Sequence, residues 1–157
     1  MPVTPLEAEN ITPKVATLPN PKDDLDKYLA SLSGDVSNFK FCAMLTASVF
    51  KGSDGALLGK PGDLVNNLSS VPVQKDMCNT SSAVLDPTAM ALYSVVSFEF
   101  YGYDNPTTIA TKVRSILKAH TTFCILIYNV HHDDVQNTCD RGKFLLTTAA
   151  RKAFDNT

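Results

Sequence analysis

Asparagine or aspartate precedes proline at three points where the hydrophobic pattern turns helical. These dipeptides are Asn20-Pro21, Asp86-Pro87 and Asn105-Pro106. An Asx side chain accepts hydrogen bonds from the free backbone N–H groups at a helix start, and proline fits the first helical position because its missing N–H is not needed there. The sequence therefore predicts helices that begin near residues 21, 87 and 106.

The first and third of these stretches have the clearest helical spacing. A leucine-rich stripe marks one face of a helix over 21–33. Most apolar residues between 109 and 128 fall within one arc of about 140° on a helical wheel, with Ile125 and Leu126 outside it, and this favours a single long helix over 106–130. The end of that stretch, 121–130, is apolar on nearly all sides and also fits a buried strand after a shorter helix.

Other stretches are ambiguous or irregular. Residues 37–50 alternate like a strand and also fit a helix, and 94–102 are rich in the valine and aromatic residues that strands favour. Glycine and proline recur through 51–82, which predicts an irregular region with at most a short helix near Leu64 to Leu68. Residues 1–20 contain four prolines and predict an extended arm.

Two folds are compatible with this pattern, each as one domain over 1–157, since the length suits a single domain. The first is an up-and-down four-helix bundle within 21–130, followed by a C-terminal segment, 131–157, that is partly helical. Its helices would span 21–33, 37–50, 87–101 and 106–130. The second is an α+β domain with strands near 39–49, 94–102 and 121–130. Periodicity alone does not separate the two folds.

Composition and charge argue against several classes of protein function. The formal charge is -2 and charged residues make up 19% of the chain, which argues against a nucleic-acid binder that relies on bulk positive charge. The start lacks a secretory pattern, and no apolar run reaches the length of a membrane span. The four cysteines have no close spacing, which indicates free thiols in a reducing compartment.

Two groups of residues invite a catalytic or metal-binding reading. The run His131-His132-Asp133-Asp134 has the right ligand types, but adjacent positions rarely point at one ion, so a polar turn is the better interpretation. Cys124 and His120 have the residue types of a nucleophile pair, yet both fall on the apolar face of the predicted helix. We therefore predict no catalytic residue, no metal and no cofactor, and we keep a thiol- or metal-dependent enzyme as the least favoured alternative.

The order of several short motifs resembles that of the coat proteins of rod-shaped plant viruses, the tobacco mosaic virus family. "AVLDP" spans 83–87, "NPTT" spans 105–108, "VRS" spans 113–115, and an Arg-x-x-Phe pair stands at Arg141 and Phe144. There are departures, since Leu145 replaces an acidic residue and the family's arginine-rich patch before "NPTT" is missing. The resemblance implies the four-helix bundle.

The resemblance also implies a function. It predicts a non-enzymatic capsid protein that polymerises with copies of itself into a helical rod around single-stranded RNA, in the virion and the host cytoplasm, without a membrane partner. Residues 105–120 carry basic groups and no carboxylate, so Lys112, Arg114 and Lys118 are the predicted RNA contacts. The structural or inter-subunit residues expected by resemblance are Asp86, Glu99, Arg141 and Phe144. Glu99 or Asp104 would pair with Arg114. The alternative is a small intracellular α+β protein-interaction domain without catalytic activity.

Overall fold

The structure, a computed structural model, describes most of the chain from residue 41 onward and part of what precedes it. The described residues are 14–15, 21–32, 41–53, 61, 64–65, 67–73, 75–78, 82–97 and 99–157. Their helices are α1 (Pro21–Ser31), α2 (Pro106–Ala119) and α3 (Leu145–Asp155), with short 3-10 helices at Lys75–Cys78 and Val130–His132. Their strands are β1 (Lys14–Val15), β2 (Cys42–Thr46), β3 (Val49–Ser53), β4 (Leu64–Val65), β5 (Asn67–Val71), β6 (Val84–Asp86), β7 (Ala91–Val96), β8 (Glu99–Tyr103) and β9 (Cys124–Tyr128).

Strands β2 and β9 run parallel and pair in register from Cys42 with Cys124 to Thr46 with Tyr128. One face of this pair packs on helices. Ala43 and Leu45 are buried there against α2 and α3, because alternate residues of a strand point to the same face. This core also contains apolar residues of both helices, among them Ile109, Val113, Ile116, Leu146, Ala150 and Ala153. The parallel pair therefore has helices on one side and solvent on the other.

The second layer is a five-stranded antiparallel sheet in the order β5-β3-β8-β7-β6. Its own core forms around Val49, Leu92, Tyr101 and Tyr103, with Met77 from the 3-10 helix packed against them. β1 and β4 form a separate antiparallel pair. Ala47 and Ser48 connect β2 directly to β3, so the two main sheets meet at the end of β2.

Helix α2 begins as its capping sequence predicts. The Asn105 side chain accepts hydrogen bonds from the backbone N–H groups of Thr107 and Thr108 at 2.9 and 2.8 Å. The Thr108 hydroxyl in turn accepts from the Asn105 N–H at 2.9 Å, which completes a reciprocal cap. The helix ends at Ala119, and a turn leads into β9.

The four-helix bundle is wrong, and the α+β alternative fits the structure. Helices do begin at Pro21 and Pro106, but 106–130 is a helix followed by a strand, because Cys124–Tyr128 pairs with β2. Within 87–101, residues 87–90 form a turn and the β-branched and aromatic residues that follow build β7 and β8. The described part of 37–50 forms strands as well.

The predicted cap at Asp86 shows why the local sequence led to the wrong prediction of a helix after residue 86. Its carboxylate accepts hydrogen bonds from the backbone N–H groups of Thr88 and Ala89 at 2.8 and 2.9 Å, as an N-cap residue does. The chain then turns back as β7, which pairs with β6. An Asx-capped turn and a helix start share the same first hydrogen bonds, so the motif alone does not distinguish them.

Several other predictions meet different outcomes. The free-thiol prediction is wrong, because Cys42 is bonded to Cys124 and Cys78 to Cys139. The region 51–82 contains β4, β5 and a 3-10 helix rather than a wholly irregular loop. Most of the predicted 1–20 arm lies outside the described residues, and the single domain over 1–157 stays a prediction. None of the described helices is both long and apolar enough to cross a bilayer.

Candidate functional site

The carboxyl ends of β2 and β9 lie side by side, since Thr46 pairs with Tyr128 in the parallel register. Ligands of proteins with parallel strands bind beyond these ends, where the loops that follow the strands converge. The segments that follow these two strand ends are Ala47-Ser48 and 129–138. We use the name strand-end site for Ser48, Ser70, Tyr128, Asn129 and His132.

A hydrogen-bond network joins the polar members of the strand-end site. The Ser48 hydroxyl lies 2.8 Å from Nδ1 of His132, and the Asn129 amide donates to the Ser48 oxygen at 3.0 Å. The same amide is 3.5 Å from the hydroxyl of Ser70 on β5. The network connects the end of the parallel pair to the antiparallel sheet and fixes their side chains relative to each other.

Backbone geometry fixes the same region. Asn129 has a φ of 56°, a left-handed conformation that asparagine tolerates better than most residues. The backbone N–H of Val73 donates to the carbonyl of His132 at 3.1 Å. Because the turn after β9 is bonded to the segment after β5, the two loops form one wall.

The network also bears on which nitrogen of the His132 ring carries a proton. The Ser48 oxygen accepts a hydrogen bond from Asn129, and its hydroxyl lies 2.8 Å from His132 Nδ1, which can accept the Ser48 proton. A neutral ring that accepts at Nδ1 carries its proton on Nε2. Burial lowers the pKa of His132 below its ordinary value of 6.5, and the neighbouring His131 lowers it further, so the neutral ring is favoured.

An apolar surface borders this network. Tyr128 is 55% exposed, and Leu126 and Met44 on the same face of the parallel pair are 54% and 57% exposed. Parallel strands are ordinarily covered on both faces, so this much exposed apolar surface is unusual. Tyr128 places an aromatic ring at the end of β9, directly before Asn129.

A cavity of about 300 Å³ lies beside the turn that follows β9. Its walls combine apolar side chains with hydrogen-bonding ones. They are formed by Pro72, Val73, His131, His132, Asp134, Val135, Gln136 and Thr138. The ring of His131 packs edge-on against His132, with centroids 4.2 Å apart.

The two aspartates after His132 hold the loop together. Asp133 is fully buried, and its carboxylate accepts hydrogen bonds from the backbone N–H groups of Leu146 and Thr147 at the start of α3. Asp134 accepts from the N–H groups of Thr138 and Cys139. The part of the chain that the structure describes has no cluster of three potential metal ligands. The run 131–134 is a polar turn, although it follows a strand rather than a helix.

The predicted RNA contacts do not form one surface. Lys112 is completely buried, with its ammonium 2.8 Å from both oxygens of Asp104, so it is inaccessible to phosphate. Arg114 and Lys118 are exposed on α2. Lys118 lies in the last turn of α2, near the start of β9, whereas the strand-end site follows the end of β9.

The residues expected to be structural are dispersed. Glu99 pairs with Lys51 at 2.7 Å and accepts a hydrogen bond from Tyr101, so its described ion pair is not with Arg114. Arg141 is exposed and borders a small cavity near the second disulfide. Phe144 is 39% exposed and precedes α3 with a φ of 54°. His120 stacks on Phe123, and Cys124 is bonded to Cys42, so these two residues do not form a nucleophile pair.

Sequence reasoning missed the strand-end site because it treated 121–130 as part of a helix. Had the strand alternative been followed, the carboxyl end of the strand would have pointed to "YNVHH" at 128–132. Ser48 and Ser70 would still have been missed, because they join the site only through the pairing of strands distant in sequence.

Comparison with known proteins identifies the fold. No family model matches the chain, and no curated protein matches it. Among solved structures, the Group IV chitinase of Ostrinia furnacalis is 15% identical, with a TM-score of 0.69, over 95% of this chain and 43% of that one. The chitinase-like agglutinin of Robinia pseudoacacia is 21% identical, with a TM-score of 0.54, over 83% of this chain and 36% of that one.

A third similar structure is human YKL-39, described as a pseudo-chitinase with retained chitooligosaccharide binding properties. It is 16% identical, with a TM-score of 0.61, over 73% of this chain and 35% of that one. The chain thus spans less than half the length of the structures that it matches. At these identities the similarity shows a chitinase-like fold, and that fold occurs in proteins described as chitinases and in one described as a pseudo-chitinase.

The coat-protein resemblance is therefore wrong. The mixed α/β structure and its chitinase-like neighbours overturn the capsid function, the helical polymer, the RNA partner and the virion location. The shared motifs were short, and two of them have a local explanation. "NPTT" is a helix cap and "LDP" is a capped turn.

Proposed function

We propose that the strand-end site binds chitooligosaccharides, oligomers of N-acetylglucosamine. The observation that carries this proposal is the exposed Tyr128 ring at the end of β9, next to the hydrogen-bonding network of Asn129, Ser48 and Ser70. It is supported by the fold, which resembles that of a pseudo-chitinase described as retaining chitooligosaccharide binding.

The chemistry of the site suits a sugar. A pyranose ring has an apolar face of C–H groups, which packs on an aromatic ring, and an edge of hydroxyl groups, which needs hydrogen-bond partners. Tyr128 offers the ring, with Leu126 and Met44 extending the apolar surface. The amide of Asn129 and the cavity beyond it offer polar groups, the combination found in small-molecule sites.

We further propose that the described residues bind the saccharide without hydrolysing it. Glycoside hydrolysis needs at least one carboxylic group free to protonate the leaving oxygen, even where the substrate's own N-acetyl group acts as the nucleophile. The first two carboxylates after β9, Asp133 and Asp134, accept backbone hydrogen bonds in the turn, and Asp104 is held by Lys112. These three groups are occupied in structural roles, which supports binding over catalysis at this end of the strands.

Calorimetric titration with the tetramer of N-acetylglucosamine tests the proposal. Tyr128→Ala should weaken binding about tenfold through loss of the ring contact, whereas Tyr128→Phe should bind nearly as the wild type does. Tyr28→Ala is the matched control, because Tyr28 is 52% exposed on α1, a helix whose Asp26 contacts His120 before the start of β9. Absence of binding at millimolar tetramer, or equal effects of the two alanine variants, would contradict the proposed site.

Hydrolysis is measured in the same samples. Chromatography of the tetramer after long incubation with the chain should show no shorter products. Release of dimers or monomers by the wild type would contradict the non-catalytic part of the proposal and leave the binding part intact.

A further inference from the structure

We propose that the 300 Å³ cavity beside the strand-end site receives the N-acetyl group of one sugar unit, and that His132 donates a hydrogen bond from Nε2 to its carbonyl oxygen. This inference rests on the proposed saccharide function and deepens it. It makes His132 the residue that distinguishes an N-acetylated sugar from one with a plain hydroxyl group at the same position.

The hydrogen bonds of Asn129 and Ser48 converge on one ring nitrogen of His132, Nδ1. Asn129 donates to Ser48, and the Ser48 hydroxyl lies 2.8 Å from Nδ1 of His132, within reach to donate its proton there. In the tautomer that accepts at Nδ1 the ring proton is on Nε2, and no other described residue makes a hydrogen bond to that atom. His132 lines the cavity, and in this tautomer its Nε2–H group is the donor that the proposal assigns to the bound N-acetyl group.

The size and composition of the cavity suit one N-acetylated sugar unit. About 300 Å³ is at the small end of ligand sites, enough for one sugar unit with its substituent and too small for an oligomer. An N-acetyl group combines a methyl, a carbonyl acceptor and an N–H donor. Pro72, Val73 and Val135 supply apolar wall for the methyl, and Gln136 and Thr138 supply side chains that both donate and accept.

The lining of the cavity is held in place by hydrogen bonds to neighbouring segments. The carbonyl of His132 accepts from Val73, and Asp134 binds the N–H groups of Thr138 and Cys139, so both sides of the cavity are tied to neighbouring segments. Cys139 is further bonded to Cys78. A site whose donors are already held in place loses less entropy on binding, which favours selectivity for a group of matching shape.

Two ring variants separate the atoms of His132. Glutamine places its amide nitrogen near the position of Nε2, whereas asparagine places it near Nδ1, so His132→Gln keeps the proposed donor and His132→Asn removes it. The probes are the tetramer of N-acetylglucosamine and cellotetraose, a neutral glucose tetramer without the N-acetyl groups. The control variant is His131→Asn, in the adjacent ring of the same cavity.

We expect the wild type to prefer the N-acetylated tetramer, and His132→Asn to reduce that preference about tenfold. His132→Gln and His131→Asn should each retain most of it. A preference unchanged in His132→Asn, or reduced equally in His131→Asn, would overturn the role of His132 while tetramer binding itself stands. If the wild type binds neither tetramer, the saccharide function and this inference both fail.

A direct measurement keeps the test independent of variant folding. Long-range ¹H–¹⁵N spectra of the wild-type histidine rings report the tautomer. His132 should show the Nε2–H form in the free protein, and its Nε2 resonance should shift on addition of the N-acetylated tetramer and not of cellotetraose. An Nδ1–H tautomer in the free protein would overturn the proposed donor.

Discussion

The ammonium of Lys112 lies 2.8 Å from each carboxylate oxygen of Asp104, and the two side chains are 0% and 3% exposed. The hydroxyl of Thr108 donates to the same carboxylate at 2.7 Å. Burial raises the pKa of Asp104 and lowers the pKa of Lys112, while the attraction between the two charges opposes both shifts. This pair joins the end of β8 to the middle of α2.

Removal of Lys112 alone should be severely destabilising. Lys112→Met preserves most of the side-chain volume but leaves the Asp104 carboxylate buried without its cation, and we expect a loss of about 3–5 kcal/mol in the free energy of unfolding. Urea denaturation followed by circular dichroism measures the change. The control is Lys118→Met, because Lys118 is exposed on the same helix and its replacement should change stability little.

The double variant Lys112→Met with Asp104→Asn separates lost attraction from an uncompensated charge. Because no buried charge remains, it should recover a large part of the stability lost in the single variant. Equal stabilities of the single and double variants would show that the Asp104 charge is not the source of the loss.

Asp133 should stabilise α3 from outside the helix. Its carboxylate accepts hydrogen bonds from Leu146 at 2.9 Å and Thr147 at 2.7 Å, and the residue before the helix, Phe144, makes no side-chain cap. Asp133→Ala leaves those N–H groups unpaired, so unfolding should become easier by about 2 kcal/mol. Asp155→Ala, at the exposed opposite end of α3, is the control and should have little effect.

The disulfide between Cys42 and Cys124 should contribute strongly to stability. It links residues 82 positions apart, and in the chain-entropy view such a link is worth about 4 kcal/mol. Replacing both cysteines by alanine should therefore lower the urea midpoint markedly under non-reducing conditions. A midpoint that is unchanged in the variant, or unchanged when the wild type is fully reduced, would contradict this contribution.

Stability should decline as the pH falls below about 6.5, and His132 should be one cause. Its pKa is lowered in the folded state, first by burial and then by the charge of His131, so the unfolded chain takes up this proton at higher pH than the folded one. The free energy of unfolding therefore falls between the ordinary value of 6.5 and the lower folded pKa. Asp134 lines the same cavity as both rings and is present in every variant compared.

Urea denaturation at closely spaced pH values between 7.5 and 5 checks this prediction. His132→Gln should flatten the pH dependence, since glutamine does not titrate. His131→Gln should flatten it partly, because it removes the second and smaller cause of the shift. An equal slope in wild type and His132→Gln would assign the pH dependence to other groups.

Local chemistry predicted what depends on neighbouring residues. The Asx-Pro dipeptides predicted the helix starts at Pro21 and Pro106 correctly. At Pro106 the Asn105 cap is present, and its hydrogen bonds lie within one turn of the chain. The Asp86 cap formed as well, but whether a turn or a helix follows is decided by the pairing of β7 with β6 and β8. That pairing is a tertiary interaction, so the residues of the Asp86-Pro87 motif do not predict it.

The remaining features depended on which segments meet in the folded chain. The stretch 124–128 is apolar on both faces, so its sequence shows no alternation of polar and apolar residues that would mark a strand. Its strand conformation follows from the pairing with β2. The cysteine pairs join residues far apart in sequence. Lys112 seemed a surface cation because nothing in its helix showed that its face of α2 lies inside the protein, beside Asp104.

The cross-link between Cys42 and Cys124 stands at the opposite end of its strands from the strand-end site. A slip of β9 by one residue would turn the inward-facing Ile127 out and the outward-facing Tyr128 in, because side chains alternate along a strand. That slip requires a covalent bond to break first. The disulfide at one end of the strand pair thus helps to keep the Tyr128 ring exposed at the other end.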